Sequence, residues 1–301
     1  MGKVWAIAVN TFKEAVRNRI LYILLIFAIV LLLFSGAVRE LTVAAQERVI
    51  QSLGLGCINI FGLLIAVFVG IGLVYNELDK KTIYTIISKP IDRWQFILGK
   101  YFGLLLTIYV NIVIMTLFFY SSLYFQSFTS DQQLTAFYTS WGPGQSPGSL
   151  ALVGFWARAV GLSVAHALKS LCFFSDKVTG NLQIVVVMTC IELAIVTAFA
   201  VLYSSFTTPT LSAILTVFTF VIGRGNEDII RYTWYLERQG LHSLASKIKY
   251  DAARFVAHVA PNLKIFYSDT VGQALSRSSV SVDWYNIAYG LIYSAMIVSL
   301  A

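Results

Sequence analysis

The sequence predicts an all-α, polytopic membrane protein with six transmembrane helices, an N-terminal amphipathic interfacial helix, and amphipathic helices in two long external loops. Three observations carry that prediction. The chain is 57% hydrophobic and 12% charged, against roughly 25% charged in an ordinary soluble domain. Its 22 Lys+Arg and 15 Asp+Glu avoid the apolar runs: Glu192 alone falls inside one, and every other charge lies between or beside them. A bilayer core about 30 Å thick imposes that partition, because a charge within it costs several kcal/mol. Finally, six apolar runs have the length of a span, 17 to 23 residues.

The elements follow in order. Residues 1–19 place Trp5, Ala8, Val9, Phe12, Ala15 and Val16 at helical spacing, with Lys3, Lys13, Glu14 and Arg17 elsewhere on the turn. That pattern suits a helix lying on the membrane surface. The first span is expected at 20–38 and the second at 53–75, where Gly62, Ala66 and Gly70 recur every four residues and allow a neighbouring backbone to approach. A polar stretch, 76–100, precedes the third span at 101–123. Residues 124–181 form an insert that reads as loop around Trp141 to Gly148, where Pro and Gly break both periodicities. Spans four and five, 182–203 and 207–223, form a tight hairpin through Ser204-Ser205-Phe206. A second insert, 224–283, contains an amphipathic helix ended by Pro261, and the sixth span is 284–301.

Charge sets the expected orientation. Four Lys+Arg precede the first span and five lie in 76–100, which places the N-terminus and that loop on the cytoplasmic side of a bacterial inner membrane. Both inserts then fall outside, although 224–283 carries eight Lys+Arg. A seventh span at 150–174 would reverse that parity. Arg158, His166 and Lys169 form a polar stripe there, better suited to an interfacial or re-entrant helix than to a span.

The net charge of +7 does not point to nucleic acid, because no basic stripe or nucleic-acid motif accompanies it. Lys/Arg at membrane edges gives the same excess. Cys57, Cys172 and Cys190 form no metal-ligand spacing, and His166, His242 and His258 are far apart, so no metal site is expected. No nucleophile elbow or triad pattern occurs, so no catalytic residue is assigned.

The most informative stretch is 75–100, YNELDKKTIYTIISKPIDRWQFILGK. Lys80, Thr82, Tyr84 and Thr85 with Ile83, Ile86 and Ile87 read as a short amphipathic helix ended by Pro90. A compact element of that kind can pass a rigid-body push into the spans at either end. The stretch resembles the loop of ABC-2-type permeases, of pattern E-x-x-x-x-T, then K-P-x-x-R, then G-K. Other features fall where that family places similar ones: the N-terminal amphipathic helix, the glutamate in the fourth span, the Ser-Ser-Phe-Thr-Thr-Pro hairpin, Ile222-Gly223 followed by Glu227-Asp228, and Pro261-Asn262-Leu263. Those permeases carry a charged tail after the sixth span, which this sequence lacks at Ser299-Leu300-Ala301.

The resemblance implies a single six-span transmembrane domain that pairs with a second permease copy or paralogue and docks separate ATPase subunits. ATP and Mg would sit on those subunits, since no G-x-x-x-x-G-K-[ST] phosphate loop is present in this chain. It implies coupling through 76–100, with Glu77, Lys81, Thr82, Lys89, Pro90, Arg93, Gly99 and Lys100 as the coupling residues. Read from the residues themselves, Gly99 and Gly103 open the third span at packing distance, and Lys100 is placed to snorkel to headgroups. Glu192, in mid-span, is expected to face the protein interior, with Asn59 and Asn111 as polar neighbours. It either ties spans together or takes part in translocation or gating. Two further functions stay open: a non-transporting scaffold whose external inserts recruit partner proteins, and an ion-coupled transporter centred on Glu192.

Overall fold

The computed structural model describes residues 2–38, 46–79, 93–128, 136–137, 139–140, 149–172, 177–239, 244–276 and 284–301. Among these, all regular structure is helical. In chain order the helices are α1 (Gly2–Val16), α2 (Arg19–Val38), α3 (Gln46–Asp79), α4 (Arg93–Phe128), α5 (Ser149–Cys172), α6 (Lys177–Phe206), α7 (Pro209–Gln239), α8 (Leu244–Val259), α9 (Ser268–Leu275) and α10 (Trp284–Leu300). Four of them contain stretches long and apolar enough to cross a membrane: Arg48–Gly72, Trp94–Phe125, Ala151–Ser170 and Gly180–Phe206. The bent pair α1 and α2 makes a fifth when taken as one span.

That set differs from the six runs read from sequence. The expected fifth span does not end at Gly223: α7 continues unbroken to Gln239, carrying Arg224, Glu227, Asp228 and Arg231 on the same helix, which dilutes its apolarity. α10 is apolar but has 17 residues. Within the 124–181 insert, α4 runs on to Phe128, and the expected helix at 150–174 is present as α5, one continuous helix of 24 residues. The polar 76–100 stretch is likewise helical at both ends, with 76–79 in α3 and 93–100 in α4. α4 has 36 residues, about 54 Å at 1.5 Å each, longer than a bilayer core of about 30 Å.

α6 is the axle of the bundle. It packs on α3, α4, α7, α9 and α10, and every residue from Ile191 to Val201 is buried. A helix that is apolar on all sides needs such an enclosure. Gly62 lies under Leu193, and Gly70 meets both Leu104 and Ala200, so the stripe of small residues on α3 is where α6 and α4 come close; Ala66 between them is fully buried.

These contacts also fix the helix directions. Going along α3, Asn59 meets Glu192 and then Gly70 meets Ala200, so α3 and α6 run the same way. Gly70 faces Leu104 and Gly54 faces Phe119, so α4 runs opposite to α3. α7 returns from α6 through the two-residue turn Thr207-Thr208, and α10 runs with α6, pairing Gly290 with Ile191 and Tyr293 with Phe199. One end of the bundle therefore gathers the end of α3, the start of α4, the α6–α7 turn and the end of α10. The other gathers the end of α4, the start of α6, the charged half of α7 and the start of α10. α5 lies at this second end: Ser163, His166 and Trp156 all meet Ser121 to Phe125 in the last turns of α4.

α1 sits at the first end. Residues Arg17 and Asn18 break the helix, Asn18 accepts a hydrogen bond from Ile20 N at 3.0 Å, and α2 leaves at 65° to α1. The face of α1 holding Ala8, Thr11 and Ala15 is buried, packed on the start of α4. A methyl group at Gly103 would stand 2.6 Å from Ala8 O, and one at Gly99 would stand 2.7 Å from Ile7 Cβ. Only glycine permits the two helices to lie so close.

Candidate functional site

The site is built where α3, α6 and α7 meet. Arg224 Nε donates to Glu192 Oε1 at 3.0 Å, and Nη2 donates to Glu192 Oε2 at 3.2 Å and to Asn59 Oδ1 at 2.8 Å. Asn59 Nδ2 closes the ring by donating to Glu192 Oε2 at 2.7 Å. Glu192 is 0% exposed and Arg224 26%. The fork of two parallel N–H donors matches the carboxylate plane, which is the geometry an arginine supplies and a lysine does not. Three helices distant in sequence are thereby tied through one charge-neutral cluster.

The guanidinium is also held from its faces. Its Cζ lies 4.7 Å from the ring centre of Phe220, one turn earlier on α7, and 4.4 Å from that of Tyr267. Cation–π contacts of this kind contribute roughly 0.5–2 kcal/mol. Tyr267 arrives from the segment after α8, which folds back on the bundle. Leu263 N donates to Gly223 O at 3.0 Å, Asn226 Nδ2 donates to Ala260 O at 3.1 Å, and Asn262 N donates to Tyr289 Oη at 3.1 Å. Gly223 makes the return possible: a Cβ there would meet Leu263 at 2.8 Å and Pro261 O at 2.9 Å. Leu263 and Phe266 are buried as a result. Part of the expected external insert, 260–275, is thus integral to the bundle.

One turn further along α7, Lys264 Nζ donates to Glu227 Oε2 at 2.6 Å, with Arg231 3.7 Å from both Glu227 and Asp228. The hydrogen bond from Lys264 holds the Glu227 carboxyl below the ordinary carboxylate value, and the same bond holds Lys264 above the ordinary lysine value. Asp269 goes the other way, raised by burial and then by the neighbouring charge of Glu227.

The residues singled out from sequence are not brought together as one site. Asn59 joins Glu192, but Asn111 does not. Its Nδ2 donates to Thr107 O at 2.8 Å within its own helix, and its buried Oδ1 accepts no hydrogen bond. Gly62, Ala66, Gly70 and Gly103 lie at helix contacts, as does Gly99, which faces α1. Lys100 does not reach outward: it is buried, with Nζ 4.9 Å over the Phe96 ring, because α1 covers this part of α4 at Gly99 and Gly103. Glu77 lies in the last turns of α3 and Arg93 opens α4. Lys81, Thr82, Lys89 and Pro90 lie outside the described residues.

Sequence reasoning missed Arg224 and Tyr267. Arg224 opens the charged segment after an apolar run and reads there as the first residue of a loop. The hairpin held the missing signal. Glu192 and Arg224 stand about equally far from the Thr207-Thr208 turn, so two antiparallel helices bring them to the same level.

Among the described residues no cluster of His, Cys, Asp or Glu is arranged to hold a metal ion. No protein-family model matches the chain, and no curated protein matches it significantly.

Proposed function

We propose that this chain is the permease subunit of an ATP-driven exporter of the ABC-2 type, set in a bacterial inner membrane with its N-terminus in the cytoplasm. In this reading it pairs with a second permease copy or paralogue and couples hydrolysis on separate ATPase subunits to translocation or extraction of a substrate. The observation that carries the reading is the placing of α1 across the start of α4. The ends of α3 and α4 that flank 80–92 stand at the same end of the bundle as α1 and the α6–α7 turn, and two glycines leave no slack between α1 and α4.

A force applied to 80–92 would therefore reach three helices as a rigid body. α3 would carry it to Asn59, and the Asn59–Glu192–Arg224 cluster would pass it to α6 and α7. The directions of the helices support six crossings with both inserts on the side opposite α1. α5 meets the last turns of α4 at the end from which α6 starts, so it leaves that alternation unchanged.

A scaffold reading keeps one supporting observation. α5 is the least covered of the long apolar helices, with Val153, Trp156, Val160, Leu162 and Leu168 exposed. The deciding experiment is affinity purification of the full chain from its native membrane. The exporter reading expects a Walker-motif ATPase to copurify, and expects alanines across Thr82 to Arg93 to release it while the permease stays folded. A stable complex that contains no nucleotide-hydrolysing subunit would overturn the reading.

A further inference from the structure

α8 presents an apolar stripe to the outside of the molecule. Tyr250, Ala253, Ala257 and Ala260 lie on its half-buried side, and α7 is the helix it packs against. Ile248, Phe255 and Val259 lie on the opposite side and are 60%, 67% and 57% exposed, with the small Ala252 among them. Lys247, Asp251 and Arg254 occupy one flank between the two faces and are exposed as well. A helix on a water-facing loop carries its charges on the side away from its support. α8 carries bulky hydrophobes there instead.

The position of α8 identifies what covers that stripe. Tyr293 Oη of α10 donates to Val259 O at 2.8 Å, which anchors the end of α8 against an apolar helix whose Leu291, Ile292 and Met296 are exposed. Two turns before Tyr293, α10 begins with Trp284 and Tyr285, both highly exposed; the partner helix α7 exposes Trp234 and Tyr235. Exposed Trp and Tyr at the ends of apolar helices mark the headgroup level of a bilayer. The stripe on α8 therefore adjoins the surface that α10 turns to lipid: its end is level with Asn226 and Tyr293, and its start lies toward the depth where the aromatic residues gather.

We propose that α8 is a lipid-binding element that runs alongside α7 into the leaflet opposite α1, with Ile248, Phe255 and Val259 against the acyl chains and Lys247, Asp251 and Arg254 on the flank turned away from them. The proposal rests on the reading of the chain as membrane-spanning. A helix so placed keeps its apolar face against hydrocarbon and its charged flank away from it. It thereby fixes the return segment 260–267, which carries Tyr267 onto Arg224. The occupant is the bilayer itself and not a protein partner.

The test uses the full chain reconstituted in phosphatidylcholine nanodiscs. Spin labels at single cysteines, in a background with Cys57, Cys172 and Cys190 replaced by alanine, read accessibility to oxygen and to a water-soluble nickel relaxant. Labels at 248, 255 and 259 are expected to favour oxygen as strongly as a control at Ile292, and labels at 247, 251 and 254 to favour nickel. The same chain without substitutions, irradiated with a diazirine phosphatidylcholine, is expected to carry lipid adducts within 247–259. This measurement keeps the test open if the cysteine-free background does not fold. Nickel access at 248 and 255 with oxygen access at 292 overturns the proposal alone. Nickel access at 292 as well overturns the membrane reading with it. Labels at 248 and 255 closed to both reagents, with adducts confined to other helices, give the surface to a second copy of the chain and equally overturn the proposal.

Discussion

Arg224 grips Glu192 at 3.0 Å from the second arm of a helical hairpin, and the two residues stand almost equally far from its turn. The bond is a cross-brace between the arms, and Asn59 extends it to a third helix. Removing Arg224 leaves Glu192 buried and uncompensated, and removing Glu192 leaves a partly buried guanidinium without its carboxylate.

Glu192→Ala and Arg224→Ala are each expected to destabilise the bundle by about 3–5 kcal/mol. Replacing both with leucine is expected to cost much less than the sum of the single changes, since no orphan charge remains. Thermal unfolding of the four species in one detergent, analysed as a double-mutant cycle, gives the coupling directly. Additive effects would refute the brace.

Asn59 both donates to and accepts from this cluster, so its two amide ends are not exchangeable. Asn59→Ala is expected to cost about 1–3 kcal/mol, the penalty for partners left unsatisfied. Asn59→Asp is expected to be worse, because it puts a second carboxylate beside Glu192. Asn111→Leu serves as the comparison and is expected to be neutral or stabilising, since it removes an acceptor that has no donor. The same unfolding measurement ranks all three.

The contact between α1 and α4 is sensitive to a single methyl. Gly103→Ala, with Ala8 O at 2.6 Å, is expected to destabilise by about 1–3 kcal/mol through overpacking. Gly72→Ala meets nothing within 4 Å and is expected to be neutral or to stabilise by up to about 1 kcal/mol through helix propensity. Limited proteolysis after Arg17 reports whether α1 has come away; a Gly103→Ala chain as resistant as the parent would count against the packing described.

The Glu227–Lys264 pair predicts a pH dependence with a definite sign. The folded state lowers the Glu227 carboxyl, so its contribution is complete above the ordinary value of 4.5 and is lost as pH falls through the lowered value. Lys264 is raised, so its contribution is complete below 10.5 and is lost as pH rises through the raised value. Asp269, also raised, opposes Glu227 at acid pH, because its stabilising share is complete below 3.8 and falls as pH rises. Lys264→Met is expected to flatten the acid limb of stability and to abolish the alkaline loss from this residue. Melting temperature across that range, for parent and variant, checks both limbs.

Much of the fold was legible because charged and apolar residues are so sharply separated along the chain. The exclusion of charge from long runs located the cores of α2, α3, α4, α6 and α10, and the loneliness of Glu192 marked it as a residue needing partners. Asn59 was legible for the same reason. What the sequence concealed were the places where helices continue past their apolar runs. Glu77, Asp79, Arg93 and Lys100, like the charges of 224–239, read as part of loops, yet they lie on helices, because helical hydrogen bonds do not stop where an apolar run ends. Arg224 was hidden in that blind zone. Tyr267 was hidden by topology, since no periodicity signals that a segment after Pro261 will fold back upon α7.

The enclosure of Ile191–Val201 within α6 bears on how the chain is made. Biosynthesis runs from the N-terminus, so in the membrane-spanning reading Glu192 reaches the bilayer ahead of its cation, Arg224, which follows 32 residues behind it. An acid at the centre of an inserting helix costs about 2.5–3.5 kcal/mol, which the surrounding valines, leucines and isoleucines of α6 must offset alone. Nascent chains interrupted before residue 224 keep that acid without its mate, and they carry in a single residue the mark of an unfinished protein.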